Sequence, residues 1–302
     1  MNGLKEQIKE LSKSLGMSLC GVSSVDRLDG APEGKRPCDI LPSCKSVIVI
    51  GARLLDGVIQ ANFRAIEDGR WDLKGLYGTY GYSTLPNFEL TYACYAIARY
   101  IEENSNAAAT PCSTGPMTNG MQISIRHAAV AAGLGEFGHL GIVLTPEFGP
   151  RNRFGVILSS VELEPDLLYS GTPLCNNCGI CAKVCPTGAI PVPGTEEPAC
   201  VYIGDKECRY AKLNYPKCTK GIMAMNKAIG GREDYLTETE PTWEDIAVAS
   251  KKMPLESSGL SHSNAWMCGR CLSYCPVGNW NDRFKKPGLS EGSAAAFFDD
   301  KK

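Results

Sequence analysis

C-N-N-C-G-I-C-A-K-V-C-P, residues 175–186, decides how the rest of the chain is read. Its spacing is C-x2-C-x2-C-x3-C-P. Three thiolates at such short steps can wrap one iron–sulfur cube, and the longer last step sends the fourth Cys to another cluster. The Pro that follows has no backbone N–H and fixes the turn. Zinc sites instead use C-x2-C pairs set well apart in sequence, so the run reads as ligands of [4Fe–4S] clusters.

A second, incomplete run lies at 264–280, N-A-W-M-C-G-R-C-L-S-Y-C-P-V-G-N-W. It reads C-x2-C-x3-C-P, and Ala265 stands where a first Cys is expected. By the crossing rule Cys175, Cys178, Cys181 and Cys275 hold one cluster. Cys185, Cys268 and Cys271 hold the other, which is one ligand short. The candidates between the motifs are Cys200, Cys208 and Cys218. Cys208 falls within a strand of an expected hairpin. Cys218 follows N-Y-P-K in an expected loop, ahead of an expected helix G-I-M-A-M-N-K-A-I, where a helix N-terminus favours an anionic thiolate. Cys218 is preferred, Cys208 is the alternative, and a three-Cys site with a labile iron is the third choice.

Fifteen Cys in 302 residues fit metal better than disulfides in a reducing compartment. The length fits two domains: an N-terminal one over 1–168 and an iron–sulfur one over 169–285 with an insertion at 191–264, then a tail at 286–302. The net charge of −2 gives no basic footprint, so no nucleic-acid partner is expected. No apolar run is long enough for a membrane span. The N-terminus carries no apolar leader and no twin Arg, and a cytoplasmic location is expected.

Hydrophobic periodicity predicts mixed helices and strands, an α+β fold. Leu4, Ile8, Leu11 and Leu15 mark an N-terminal amphipathic helix. S-V-I-V-I-G (46–51) reads as a buried strand, 88–101 as a helix opened by Pro86 and Asn87, 123–132 as a helix ended by Gly133, and 153–160 as a strand. Residues 201–210 read as a hairpin turning at Gly204–Asp205, and Thr242 with Asp245 caps a helix.

G-L-G-E-F-G (133–138) contains G-x-G-x-x-G, but a dinucleotide motif follows a strand and opens a helix. Here a helix precedes it and a strand, G-I-V-L-T, follows. Gly133, Gly135, Gly138 and Gly141 instead permit tight turns and close approach to something bulky. Arg151 and Arg153 are placed to meet carboxylate, phosphate or amide oxygens, or to lie on the surface.

A-A-G-L-G-E-F-G-H-L-G-I-V-L-T-P-E-F-G-P-R-N-R-F (131–154), followed by the first Cys run, resembles the corrinoid iron–sulfur reductases, which include reductive dehalogenases and epoxyqueuosine reductases. The resemblance covers roughly residues 75–280. It implies a nitroreductase-like N-terminal domain that cradles cobalamin and a two-[4Fe–4S] ferredoxin-like domain that feeds it electrons. A displaced ligand for the second cluster is a habit of the family. The Gly133–Gly141 loop, with Thr145, Pro146, Glu147 and Phe148, would lie against the corrinoid. Arg151 and Arg153 would sit nearby. His139 would contact a cofactor or serve structure. Dehalogenases use a Tyr as proton donor, and Tyr77, Tyr80 and Tyr82 are the candidates.

The chain departs from the family in several places. Residues 113–122 lack the Asp that epoxyqueuosine reductases use there, and the sequence ends soon after the second Cys motif, without their helical-repeat domain. The missing twin Arg argues against a respiratory role. No D-x-H-x-x-G motif offers a His below cobalt. Two readings follow: a corrinoid-dependent reductase of a small organic substrate, fed by a ferredoxin or flavodoxin, or a ferredoxin-like carrier that reduces or reactivates a partner corrinoid protein. A flavin or haem in the N-terminal part is a third.

Overall fold

The computed structural model describes residues 2–82, 84–112, 122–231, 233–253 and 268–278. Ala265, segment 113–121 and the tail 286–302 lie outside the described residues.

Four antiparallel strands make the central sheet: β1 (Leu19–Ser24), β2 (Ser46–Arg53), β3 (Ala109–Pro111) and β6 (Asn152–Ser159), in the order β1-β2-β6-β3. Val47 and Val49 face one core with Val156, Leu158 and the helix Ile125–Ala131. Ile48 and Ile50 face the other, with Ile157 and the helices Asn2–Ser14 and Thr84–Asn104. A strand covered on both faces needs apolar residues at every position, which is why 46–51 is a continuous run. Helices on both faces make this part a three-layer α/β/α unit.

Two short pairs complete the strands: β4 (Glu136–Phe137) with β5 (Val143–Leu144), and the hairpin β7 (Ala199–Ile203) with β8 (Lys206–Tyr210). The expected strand G-I-V-L-T shortens to the two residues of β5. Ile203 and Cys208 of the hairpin enter the same core as Val49 and Val156. Leu272 and Tyr274 of the second Cys motif share a core with Leu54, Ile59, Phe63 and Tyr77. The iron–sulfur region is therefore packed into the sheet unit through shared apolar cores.

Asp166, in the connection after β6, bonds Lys5 at 2.7 Å, Lys9 at 2.9 Å and the Val22 N–H at 2.9 Å. One carboxylate thus joins the connection to the first helix and β1. Among the described residues, no helix is long and apolar enough to cross a membrane.

Candidate metal centres

The two Cys motifs fold alike. Gly179 follows Cys178 with φ of 74°, and Gly269 follows Cys268 with φ of 60°. Each left-handed Gly starts a four-residue helix, Ile180–Lys183 or Arg270–Ser273, and the third Cys of each full-motif register, Cys181 or Cys271, lies on it. The fourth, Cys185 or Cys275, follows the helix end. The left-handed turn costs a Gly nothing and would strain another residue.

The thiols fall into two sets. Cys181 is pushed up to about 12, first by burial and then by the neighbouring thiols of Cys275, Cys178 and Cys175. Cys275 is pushed up to about 11 by burial, with Cys175 and Cys178 adding to it and the Val277 backbone and Arg151 opposing. The second set lies beside the first. Cys271 is driven well up by desolvation, then by Cys268, Cys218 and Cys185, and last by Cys181 of the first set. Cys218 is pushed up to about 12 by burial, then by Cys268 and Cys185, with Arg126 opposing. Clustered thiolates repel, and a cationic metal centre would offset that repulsion.

Cys208 stands elsewhere. It is buried in the sheet core, and its thiol responds first to burial and then to Lys206, Glu136, Cys200 and Glu207. Cys218 is not on a loop, as expected, but inside the helix Tyr215–Ile222. Asn214 caps that helix by accepting from Lys217 N at 3.0 Å, and Pro216 sits in its first turn. The helix expected over 221–229 does not form. Ala224 there has φ of 45°, and a single 3-10 turn covers Lys227–Ile229.

The four thiols of the first set line one cavity with His139, Leu140, Leu144 and Val277. Among the described residues, no three His, Cys, Asp or Glu side chains close around a single ion. Thiols spread around a cavity suit a multi-atom cluster better than one tetrahedral zinc. Two backbone N–H groups point at the sulfurs: His139 N to Cys175 Sγ at 3.3 Å and Ala189 N to Cys185 Sγ at 3.2 Å. Such bonds stabilise thiolate charge and tune a cluster's potential. The described residues fit two clusters.

The residues expected around a corrinoid lie mostly against protein. A side chain on Gly133 would strike the Leu167 carbonyl, and one on Gly135 the Leu144 carbonyl. Gly138 meets Leu140 and Leu144, and Gly141 meets Leu213. His139 Nε2 lies 2.8 Å from the Pro191 carbonyl. Thr145 is buried and bonds Asn152 and the Phe148 N–H. Pro146 and Glu147 are exposed, Phe148 and Arg153 half-buried. Arg151 reaches the carbonyls of Leu272, Cys275 and Val277. Each tight glycine approach is thus explained by the chain itself.

Tyr77 is fully buried, with its ring over Gly269, beside the second Cys motif. Tyr80 is exposed. The side chain of Tyr82 lies outside the described residues.

Sequence reading missed Asn62. It is fully buried and donates to the Cys268 carbonyl at 3.3 Å and to Ser273 Oγ at 3.2 Å. Its signal was a polar residue on the apolar face Ile59–Phe63 of the helix Asp56–Glu67.

A 4Fe-4S binding domain family matches residues 173–190. A tetrachloroethene reductive dehalogenase of Desulfitobacterium hafniense is 32% identical over 148 residues, 48% of this chain and 23% of its own length. An epoxyqueuosine reductase of Staphylococcus aureus is 26% identical over 210 residues, 62% of this chain and 52% of its own length. The chain is similar to both kinds of reductase, which supports a place in the superfamily that holds them.

The matches to the dehalogenases span less than a quarter of those proteins, and those to the epoxyqueuosine reductases about half or less. Two solved folds agree with the assignment. An epoxyqueuosine reductase bound to a modified tRNA stem loop has a TM-score of 0.51 at 16% identity, over 97% of this chain and 78% of that one. A reductive dehalogenase described as B12-dependent has a TM-score of 0.53 at 18% identity, over 83% of this chain and 34% of that one. The expectation of no nucleic-acid partner is not supported, since the curated relatives include epoxyqueuosine reductases.

Proposed function

We propose that the chain is an iron–sulfur oxidoreductase that holds two [4Fe–4S] clusters and uses them to reduce a small organic substrate with the help of a corrinoid. One observation carries the two-cluster reading: Cys218 and Cys185 lie among Cys268 and Cys271, while Cys275 lies among Cys175, Cys178 and Cys181. Seven motif cysteines and Cys218 then hold eight irons between them. Residues 1–168 serve as the nitroreductase-like, corrinoid-binding part and 169–285 as the ferredoxin-like part. A ferredoxin or flavodoxin is the electron donor.

The corrinoid reading is supported by the likeness to reductive dehalogenases and by the B12 dependence in the description of one structural neighbour. When bound, a corrinoid supplies a strongly reducing cobalt centre. The chain's own part is to position the clusters, with Asn62 and Arg151 holding the second motif, and to exclude water behind Tyr77 and Leu272.

A second reading is favoured by the Gly133–Gly141 segment, whose close approaches are made to protein. In it the chain passes electrons to a partner corrinoid protein. Anaerobic purification followed by iron, sulfide and cobalt analysis separates the two. About eight irons per chain with cobalamin retained at one per chain supports the first. Eight irons with no cobalamin retained supports the second. Fewer than about four irons sinks both.

A further inference from the structure

Ser124 stands at the N-cap of the helix Ile125–Ala131, where a serine hydroxyl ordinarily accepts a backbone N–H of the first turn. It makes no such bond. Its Oγ lies 2.6 Å from Nδ1 of His127 instead. On the other side of the ring, Nε2 lies 3.2 Å from the Tyr210 hydroxyl at the end of β8. Phe137 and Tyr210 pack against each other, centroids 4.6 Å apart, and both against the imidazole, at 5.0 and 5.9 Å. Both ring nitrogens therefore face hydroxyls, and a hydroxyl can donate or accept. Burial, and then Arg126, push His127 down to about 4, so the ring stays neutral near pH 7. Arg126 also donates to the Gly141 carbonyl and to the Tyr215 hydroxyl, and its charge is felt by the Cys218 thiol. Arg126, next to His127 on its helix, thus links that helix to the one that carries Tyr215 and Cys218.

We propose that Tyr210, His127 and Ser124 form a proton relay that accompanies electron delivery. The proposal rests on the reductase reading, since replacing a leaving group by hydrogen consumes two electrons and one proton. In one step the Tyr210 hydroxyl gives its proton to Nε2 and Nδ1–H gives its proton to Ser124 Oγ. The hydroxyl proton of Ser124 leaves toward the substrate side, and solvent reprotonates Tyr210. One proton enters, one leaves, and no group keeps a net charge. The ring passes from the Nδ1–H to the Nε2–H tautomer, and a turn of the imidazole about Cβ–Cγ, followed by reorientation of the two hydroxyls, resets it without returning the proton. A backbone carbonyl would fix one tautomer; two hydroxyls permit both.

Tyr210→Phe keeps the ring packing and removes only the hydroxyl. Ser124→Ala removes the other partner, and Tyr202→Phe on the neighbouring strand is the control. The deciding readout is the tautomer balance of His127 in 15N-histidine-labelled holoprotein, its signal assigned by loss in His127→Phe. Two exchanging neutral tautomers are expected in the native protein. Tyr210→Phe and Ser124→Ala should each shift the balance toward one, and the control should not. A single tautomer that neither variant moves overturns the relay. The second readout is reduction of 2,6-dibromophenol by titanium(III) citrate. Tyr210→Phe should lower kcat on the order of 10-fold at unchanged KM, with a larger solvent isotope effect. An unchanged kcat and isotope effect also overturns it. If the native protein reduces none of this probe, the reductase reading fails on that substrate class, and the tautomer measurement alone decides the relay.

Discussion

Nη1 of Arg151 donates to the carbonyl of Cys275 at 2.8 Å and to that of Leu272 at 3.2 Å, and Nη2 donates to Val277. One buried guanidinium therefore holds the turn that carries Cys275 to the first thiol set. Arg151→Met would leave three carbonyls without their donor. An unsatisfied buried acceptor costs about 1–3 kcal/mol, so a loss of about 3 kcal/mol or more is expected in anaerobic denaturation of the holoprotein. Removing a cation beside a cluster also disfavours its reduced, more negative form. The potential of the first cluster should shift to lower values in a redox titration followed by EPR. Arg151→Lys should keep much of the potential and less of the stability, because an ammonium cannot span three carbonyls as a planar fork does. An unchanged potential in Arg151→Met would remove Arg151 from the electrostatics of the cluster.

Cys218 and Cys208 give opposite expectations. Cys218→Ala deletes a thiol that neighbours Cys268 and Cys185, and iron should fall from about eight toward about four per chain. Cys208→Ala deletes a buried core thiol and should keep its iron, at a cost of about 1 kcal/mol for the small void. Iron and sulfide counts on the two anaerobically purified variants decide the matter. The reverse pattern would move the ligand to the hairpin.

How much of this was legible in the sequence depended on whether a residue's role is local. The 46–51 strand was visible because burial on both sheet faces leaves an unbroken apolar run. The strand Leu19–Ser24 was not, since Cys20, Gly21, Ser23 and Ser24 carry no period. The Asn214–Pro216 start of the Cys218 helix was present but read as a loop, because its cap precedes only eight helical residues. The first thiol set followed from spacing alone. Arg151 was read toward a cofactor, since its partners lie more than 120 residues away and no local pattern encodes that contact. Asn62 lies 206 residues from Cys268, and the same reason applies.

Asp166 sets an acid limit on the fold. Burial pushes its carboxyl up, but hydrogen bonds from Lys5, Lys9 and Val22 outweigh this and hold it below the usual carboxylate range. A carboxyl depressed in the folded state stabilises it above the ordinary value near 4, and the contribution is lost as pH falls through the folded value. Asp166→Asn should therefore cost about 1–2 kcal/mol at pH 7 and progressively less below about pH 4. Denaturation of both proteins at pH 7 and pH 3 measures this. A difference that stays constant across that range would mean the carboxylate charge is not what holds the connection.

The remaining cysteines should divide by reactivity. Burial, as the first cause in each, pushes Cys44 up to about 11 and Cys112 up to about 12, and raises Cys94 further. Cys38 and Cys200 are exposed. Only the thiolate is alkylated, and a thiol raised to about 11 is ionised to only about 0.1% at pH 8. Iodoacetamide on the anaerobic holoprotein at pH 8 should modify Cys38 and Cys200 first and leave Cys44, Cys94 and Cys112 intact until the fold opens. Cys112 is the sharpest case. It lines an open aromatic cavity with Phe88, Tyr92 and Tyr95, yet is itself only 7% exposed. Peptide mass spectrometry over a time course reads each site. Labelling of Cys112 as fast as Cys38 would show that the cavity admits reagent to a thiol the fold does not protect.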